Sequence, residues 1–487
     1  MTLRLPRLSA LLALCLLAAL LLLASCGIIT INDVNRPQDS GETTAVTVPG
    51  TAPSQQTTAA SPAVISPAQG PTAEELVASL PDADFEKVAS LITCAVDTNR
   101  FTPENDDSPI SEALLKRNRL VAEKLNTTVI TQAADLSTIA DAIRASTLSG
   151  TYYSELIAIP VSAVGTLQKS GLLMNLNILP HVDLSAQYFS QSAIRQLSYD
   201  NRVYAAAGSA TAFSEDLFCL FINNTLARTL EIGNPASAVY YGEWTLDRFY
   251  MAVRSSTAVF GVYGFGYDID REAMASAFFT ASGGAFYSYD EKGRPLLNGA
   301  EESVIDRLRA LYDDSYRYFH DDGKALNAFY DGKMLFYIDT LGKLPWFHDM
   351  SDDWGILPLP KSDAKQESYA SLVSPSAAVI AVPAESSVSE KAGHFLQTLF
   401  AASHETIRDS YVDLLIEDYA RENDSLNMAD LIGKSAVYDF SAAFGSAYPA
   451  VSDAASSALD KALNENRSYA DLIEQRRGAL ERALKSF

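Results

Sequence analysis

Residues Glu155-Leu156-Ile157-Ala158-Ile159-Pro160 (ELIAIP) put four large or medium apolar side chains in a row, with no polar residue between them. A strand with one wet face alternates apolar and polar residues. One buried on both faces reads as a short continuous apolar run, and it belongs to a parallel sheet covered by helices. The surroundings of ELIAIP fit that reading. Upstream, Leu136, Ile139, Ala140 and Ile143 stand at i, i+3, i+4 and i+7, one face of a helix that Gly150 can close. Downstream, a further helix ends at Gly171.

The same alternation runs along the chain. A short helix, AEELVASL, leads to the strand SLITCAV (Ser90 to Val96). Ser108-Pro109 starts a helix through Leu125, since Ser caps well and Pro suits the first helical position. A long strand, DLFCLFIN (Asp216 to Asn223), follows later, and the chain then reads as helical and aromatic to about Ala328. Three more apolar runs read as strands: KMLFYID (Lys333 to Asp339), WGILPLP and SAAVIAVP (Ser376 to Pro383). From Ser387 to Phe487 the pattern is almost wholly helical, with Ser468 and Asp471 giving a capping-box-like start to the last helix. Strands alternating with helices predict an α/β fold. At 487 residues, 48% of them hydrophobic, the chain exceeds one ordinary core and predicts two lobes.

The N-terminus reads as an export signal: Arg4 and Arg7, then an apolar run from Leu8 to Ala24. Leu23-Ala24-Ser25-Cys26 resembles the bacterial lipobox, so residues 1–25 are expected to be removed and Cys26 to carry the lipid, palmitate among its acyl chains. Two or more acyl chains give durable anchoring where one does not. From Ile28 to about Pro71 the chain is rich in Thr, Ser, Ala, Pro and Gln, and cannot bury enough surface to offset its ordering entropy. Residues 26–71 are thus expected to form a tether with a reach of roughly 35–40 Å.

Composition narrows the function. A net charge of −23 argues against nucleic acid or anionic lipid as the partner. Of four cysteines, Cys15 goes with the signal and Cys26 to lipid. Cys94 and Cys219 sit in apolar runs that suit two separate core residues better than a disulfide, although export permits pairing. The five histidines, at 181, 320, 348, 394 and 404, show no metal-ligand spacing. Gly433-Lys434-Ser435 lacks the first glycine of a phosphate loop, which would fall at Met428. Gly264 and Gly266 lack a third glycine, since Ile269 occupies its place, and no GxSxG elbow is present. Nothing in the sequence singles out a pair of catalytic carboxylates. No enzyme activity, cofactor or metal is expected.

Several segments, in order, resemble extracellular solute-binding proteins of the carbohydrate type, the receptor subunits of ABC importers. They are ELIAIPVSAVGTLQKSGLLMNL, YAAAGSATAFSEDLFCLFINNTLARTLEI, GEWTLDRF, FYDGKMLFYIDTLG, DWGILPLPK and SPSAAVIAVPAESSVSEKAGHFLQTLF. The resemblance spans about Asp84 to Phe487. It implies a two-lobed, periplasmic-binding-protein-like clamp of type II, with crossing hinge strands and a helical C-terminal region. Its expected lobes are 72–217, 218–337, 338–403 (back in the first) and 404–487 (mostly the second). It also implies a sugar or oligosaccharide ligand, permease subunits as partners, a membrane attachment through Cys26, and a monomer that binds no nucleic acid. A tethered extracellular glycan hydrolase and a surface sensor or adhesion module are the alternatives.

Sugar sites need aromatic faces for the apolar side of the ring, and carboxylates or amides for its hydroxyls. By the resemblance, polar contacts are expected from Asp97, Thr98 and Asn99 after the first strand, and from Ser162 after ELIAIP. Glu215 and Asp216 are expected to enter the first crossing, and Asp339 and Thr340 to end the second. The family often places Asp near Ser162 and a stacking Trp soon after Asp339. This chain has Ser at the first position, and Asp-Thr-Leu-Gly at the second. Rings are therefore expected from Tyr263, Phe265 and Tyr267, or from Phe286 and Tyr287 after a glycine pair, with core packing open for each. Trp244 is expected to pack its helix start, and Trp346 and Trp354 are left unassigned.

Overall fold

The computed structural model describes residues 70–103, 108–211, 214–313, 323–384, 389–407, 409–410 and 423–487. The export signal, Cys26 and nearly all of the tether lie outside the described residues. Among the described residues no helix is long and apolar enough to cross a membrane.

In chain order the strands are β1 (Ser90–Cys94), β2 (Val129–Ala133), β3 (Leu156–Pro160), β4 (Ser198–Tyr199), β5 (Arg202–Val203), β6 (Phe218–Asn223) and β7 (Tyr263–Tyr267), then β8 (Tyr287–Tyr289), β9 (Pro295–Leu297), β10 (Met334–Thr340), β11 (Trp354–Leu357), β12 (Ser371–Leu372), β13 (Ala378–Ala381) and β14 (Ala436–Val437). The first sheet has the order β13-β3-β1-β2. β1 runs parallel to β2 and β3, and β13 antiparallel to β3. ELIAIP is thus an inner strand, as its unbroken apolar run requires. Its side chains divide by parity: Ile157 and Ile159 share a buried cluster with Ile139 and Ile143, while Leu156 and Ala158 share another with Val121, Leu125 and Phe395. Helices therefore cover both faces, and each fully buried Leu or Ile contributes about 1.5–3 kcal/mol relative to exposure.

Local signals set the helix ends in this lobe. The helix Pro109–Leu125 begins at Ser108, whose Oγ accepts from the Ser111 amide at 3.3 Å. The helix Leu136–Ser149 is capped by Asp135 and closed by Gly150 at φ 65°, a left-handed conformation that costs glycine little.

The second sheet has the order β11-β6-β10-β7, with β10 antiparallel to β6 and parallel to β7. Two expectations need correction here. The chain between β6 and Ala328 is not wholly helical, because Tyr263–Tyr267 forms the edge strand β7 and Tyr287–Leu297 a hairpin. Gly264 explains β7: a Cβ there would lie 2.6–2.8 Å from Val253 and Ser256, so glycine lets the helix Leu246–Ser256 lie against the strand. The return to the first lobe also comes later than residue 338. Trp354–Leu357 still pairs antiparallel with β6, and only Ala378–Ala381 joins the first sheet. An all-buried four-residue strand reads the same in either sheet, so the expected lobe boundary placed it in the wrong one.

The connections between the sheets lie side by side. Ala206 exchanges backbone hydrogen bonds with Ile380 at the first sheet, and the chain reaches the second sheet at Phe218. Leu217 bridges Val373, Ser374 N donates to Asp216 O at 2.8 Å, and β12 pairs parallel with β14. Cys94 and Cys219 are buried and form no disulfide, one in each sheet.

Candidate ligand site at the lobe crossing

β1 ends in a tight turn, Thr98–Arg100, capped by Asp97, whose Oδ1 accepts from the Asn99 amide at 2.9 Å. Asp97 and Asn99 are exposed and Thr98 is half-buried. The turn presents Arg100 to the crossing segment. Its guanidinium takes Asp216 in a bidentate grip, with Nη1–Oδ2 at 2.5 Å and Nη2–Oδ1 at 3.2 Å, and also pairs with Glu215. Such fork-to-carboxylate pairs fix orientation as well as charge. Glu215 keeps 30% of its side-chain surface, against 10% for Asp216. Burial raises the Glu215 carboxyl above the ordinary range, although Arg100 pulls it the other way.

The second crossing strand ends beside this cluster, where Leu341 N donates to Leu217 O at 3.0 Å. Asp339 is buried and satisfied by its own strand: Tyr337 donates to Oδ2 at 2.9 Å and the Thr340 amide to Oδ1 at 2.7 Å. Burial also raises this carboxyl. A cavity of about 250 Å³ opens next to Asp216, lined by Tyr188, Gly208, Thr211, Val373, His404 and Tyr438. Burial, and then the charge of Asp216, hold the Tyr438 phenol well above its usual range, so it stays a neutral donor. A second cavity of about 740 Å³ lies between the segment Gln191–Val203 and the hairpin Tyr287–Leu297, where Tyr289 donates to Gln196 at 3.3 Å.

The structure thus joins the turn that carries Asp97, Thr98 and Asn99 to Glu215 and Asp216 through Arg100, and brings Leu341, next to Thr340, to Leu217, while Asp339 stays within its own strand. Ser162 is half-buried and held by its backbone: its amide donates to Pro375 O at 3.0 Å and its carbonyl accepts from Ser446 at 2.8 Å.

The expected rings mostly go elsewhere. Phe265 is fully buried, edge-on to Phe249 and Phe278. Phe286 stacks on Phe279 at 4.8 Å, and Tyr287 is buried with its hydroxyl donating to Val451 O. Their faces meet protein, because an aromatic-rich lobe fills its own core with them. Tyr263 and Tyr267 are half-buried on the edge strand. Trp244 and Trp354 are buried, donating to Pro358 O and Phe347 O. Trp346 is 61% exposed, on the turn Leu341–Phe347 directly after Thr340, with the Lys343 ammonium 5.6 Å from its ring centre. Sequence reading left Trp346 unassigned and missed Arg100 and Tyr438. An arginine in the turn after a central strand, facing an acidic pair, was the available signal.

Two helix-covered sheets are joined by crossing segments, with an antiparallel strand at the end of the first, in a two-lobed α/β fold. No family model and no curated protein sequence matches the chain. Solved structures do. The cyclic α-maltosyl-1,6-maltose binding protein from Arthrobacter globiformis has 14% identity and a TM-score of 0.57, over 82% of this chain and 100% of that one. The galacto-N-biose/lacto-N-biose I-binding protein of the ABC transporter from Bifidobacterium longum has 15% identity and a TM-score of 0.54, over 82% and 98%. The GacH receptor of Streptomyces glaucescens, solved unliganded and with acarbose, has 13% identity and a TM-score of 0.51, over 82% and 99%. At these identities the likeness is one of fold.

Proposed function

We propose that this chain is the solute-binding receptor of an ABC importer, that it holds a sugar or oligosaccharide at the lobe crossing, and that lipid on Cys26 keeps it at the outer face of the cell membrane. It delivers its ligand to the permease unchanged and performs no chemistry on it. One observation carries this reading: the turn after β1 and the crossing segment meet through Arg100, Glu215 and Asp216, next to an open cavity. Structural neighbours that bind oligosaccharides support the ligand class.

In this reading Asp97, Asn99 and Glu215 accept from sugar hydroxyls, while Arg100, Thr98, Ser162 and Thr340 add donors. Trp346 supplies the stacking face that the core rings cannot. A ligand touching both lobes has differential affinity for the closed form, which is what closure requires.

The test is isothermal calorimetry and thermal shift with mono- to heptasaccharides, followed by chromatography of the recovered ligand. Saturable one-to-one binding with the sugar returned intact is expected. A flat response across the series, or cleavage products, overturns the reading. For the anchor, Cys26→Ala is expected to move the protein from the membrane fraction to the medium or periplasm, and retention in the membrane contradicts it.

A further inference from the structure

His181 and His394 are far apart in the chain but adjacent in space. The loop 180–183 lies on the helix Ser389–Ala402 at Gly393, where any side chain would overlap the Pro180 carbonyl. His181 takes a left-handed φ of 64°, uncommon outside glycine. The Asp183 amide donates to Gln397 Oε1 at 3.1 Å and holds the loop one turn further along. Together these contacts stack the His181 imidazole on that of His394, with centroids 3.8 Å apart and planes within 19°. Glu390 stands four residues before His394 on the same helix, so both face the loop. Its Oε1 lies 3.6 Å from His181 Nε2. One donor atom from each of the three residues falls within a 4.8 Å span.

We propose that His181, Glu390 and His394 form a binding site for a divalent transition metal of the zinc type. Two imidazoles and a carboxylate, with water in the remaining position, are a donor set zinc accepts. Bonds of about 2.0–2.2 Å in a tetrahedron place neighbouring donors about 3.3 Å apart, close to the gap between Glu390 and His181. The stacked rings must turn for their lone pairs to converge. His181 and Glu390, with side chains 33% and 78% exposed, have room to do so. The adjoining depression is lined by Asp82, Asp84 and Glu86 as well as Lys391, and Asp82 pairs with Lys124, so carboxylates outnumber ammonium groups there. Magnesium and calcium prefer all-oxygen shells and do not suit two imidazoles. The bound metal would clip the loop to its helix on the first lobe, using no residue of the lobe crossing.

The test is calorimetric titration of the tag-free protein with zinc chloride, with cobalt chloride as a spectroscopic probe. Saturable binding of one zinc and visible Co²⁺ absorption bands are expected, with no response to magnesium. His181→Ala is expected to weaken zinc binding by at least about tenfold, and Glu390→Gln less severely. His394 is more buried, so circular dichroism must show that His394→Ala folds; His181→Ala decides alone if it does not. His348→Ala should bind as wild type. Absence of saturable zinc binding, or affinity unchanged in a folded His181→Ala, overturns the proposal.

Discussion

Arg100 holds Asp216 with two guanidinium nitrogens, Nη1–Oδ2 at 2.5 Å and Nη2–Oδ1 at 3.2 Å, and so joins the turn after β1 to the segment that enters the second sheet. Asp216 has little water of its own, with 10% of its side-chain surface exposed. Removing Arg100 would leave that carboxylate almost buried and unpaired. Arg100→Ala should therefore destabilise the protein by about 2–3 kcal/mol in urea unfolding, somewhat less than for a fully buried pair. Arg100→Ala with Asp216→Asn should recover part of that loss. A destabilisation below about 0.5 kcal/mol would place the pair among ordinary surface bridges.

Trp346 separates binding from folding. Its ring is exposed on the turn after Thr340 and fills no core. Trp346→Ala should leave the melting temperature nearly unchanged while weakening oligosaccharide binding about tenfold, the scale of one lost aromatic face. Phe286→Ala should do the reverse: its ring is packed against Phe279, and its loss should cost about 3–5 kcal/mol of stability. Equal effects of the two substitutions on affinity would refute this division.

Glu215 sets a pH dependence with a defined sign. Its folded pKa is raised by burial, so the folded state holds its proton more tightly than the unfolded chain does. Its contribution to stability is complete below the unfolded carboxylate value of about 4.3 and is lost as pH rises through the folded value. Asp339 acts in the same direction. Glu215→Gln should flatten this part of the profile, so that wild type loses stability relative to the variant as pH rises from about 4. Denaturant titrations of both proteins at intervals of half a pH unit would show it, and a profile unchanged by the substitution would remove Glu215 as the source.

Gly264 tests the packing of the edge strand. A Cβ there would meet Val253 and Ser256 at 2.6–2.8 Å, two of the three nearest atoms being side chain and one backbone. Gly264→Ala should cost about 1–3 kcal/mol through overpacking. A neutral substitution would mean that the helix Leu246–Ser256 can move away from β7.

Much of the fold was legible because its signals are local. The unbroken apolar run at ELIAIP, the Ser108-Pro109 start and the Gly150 stop each act within a few residues, and each lies where it was read. β7 was not legible because its alternating glycines remove the apolar pattern that marks a strand. β11 was visible as a strand, but its partner β6 is set by tertiary pairing. The positions of Asp97, Glu215 and Thr340 beside strand ends could be read from the sequence. The rings could not, since Phe265 and Trp346 differ in burial and hardly in local sequence character. The contact of His181 with His394 depends on a loop crossing a helix at Gly393, which no spacing rule encodes.

The most direct measurement is calorimetric titration of wild type, Asp216→Asn and Trp346→Ala with one linear oligosaccharide series, with the ligand analysed afterwards. Saturable one-to-one binding by wild type to at least one member is expected, with binding weakened about tenfold or more in each variant and the sugar recovered intact. Wild-type binding that both variants retain would contradict the site, and absence of binding, or conversion of the sugar, would contradict the receptor itself.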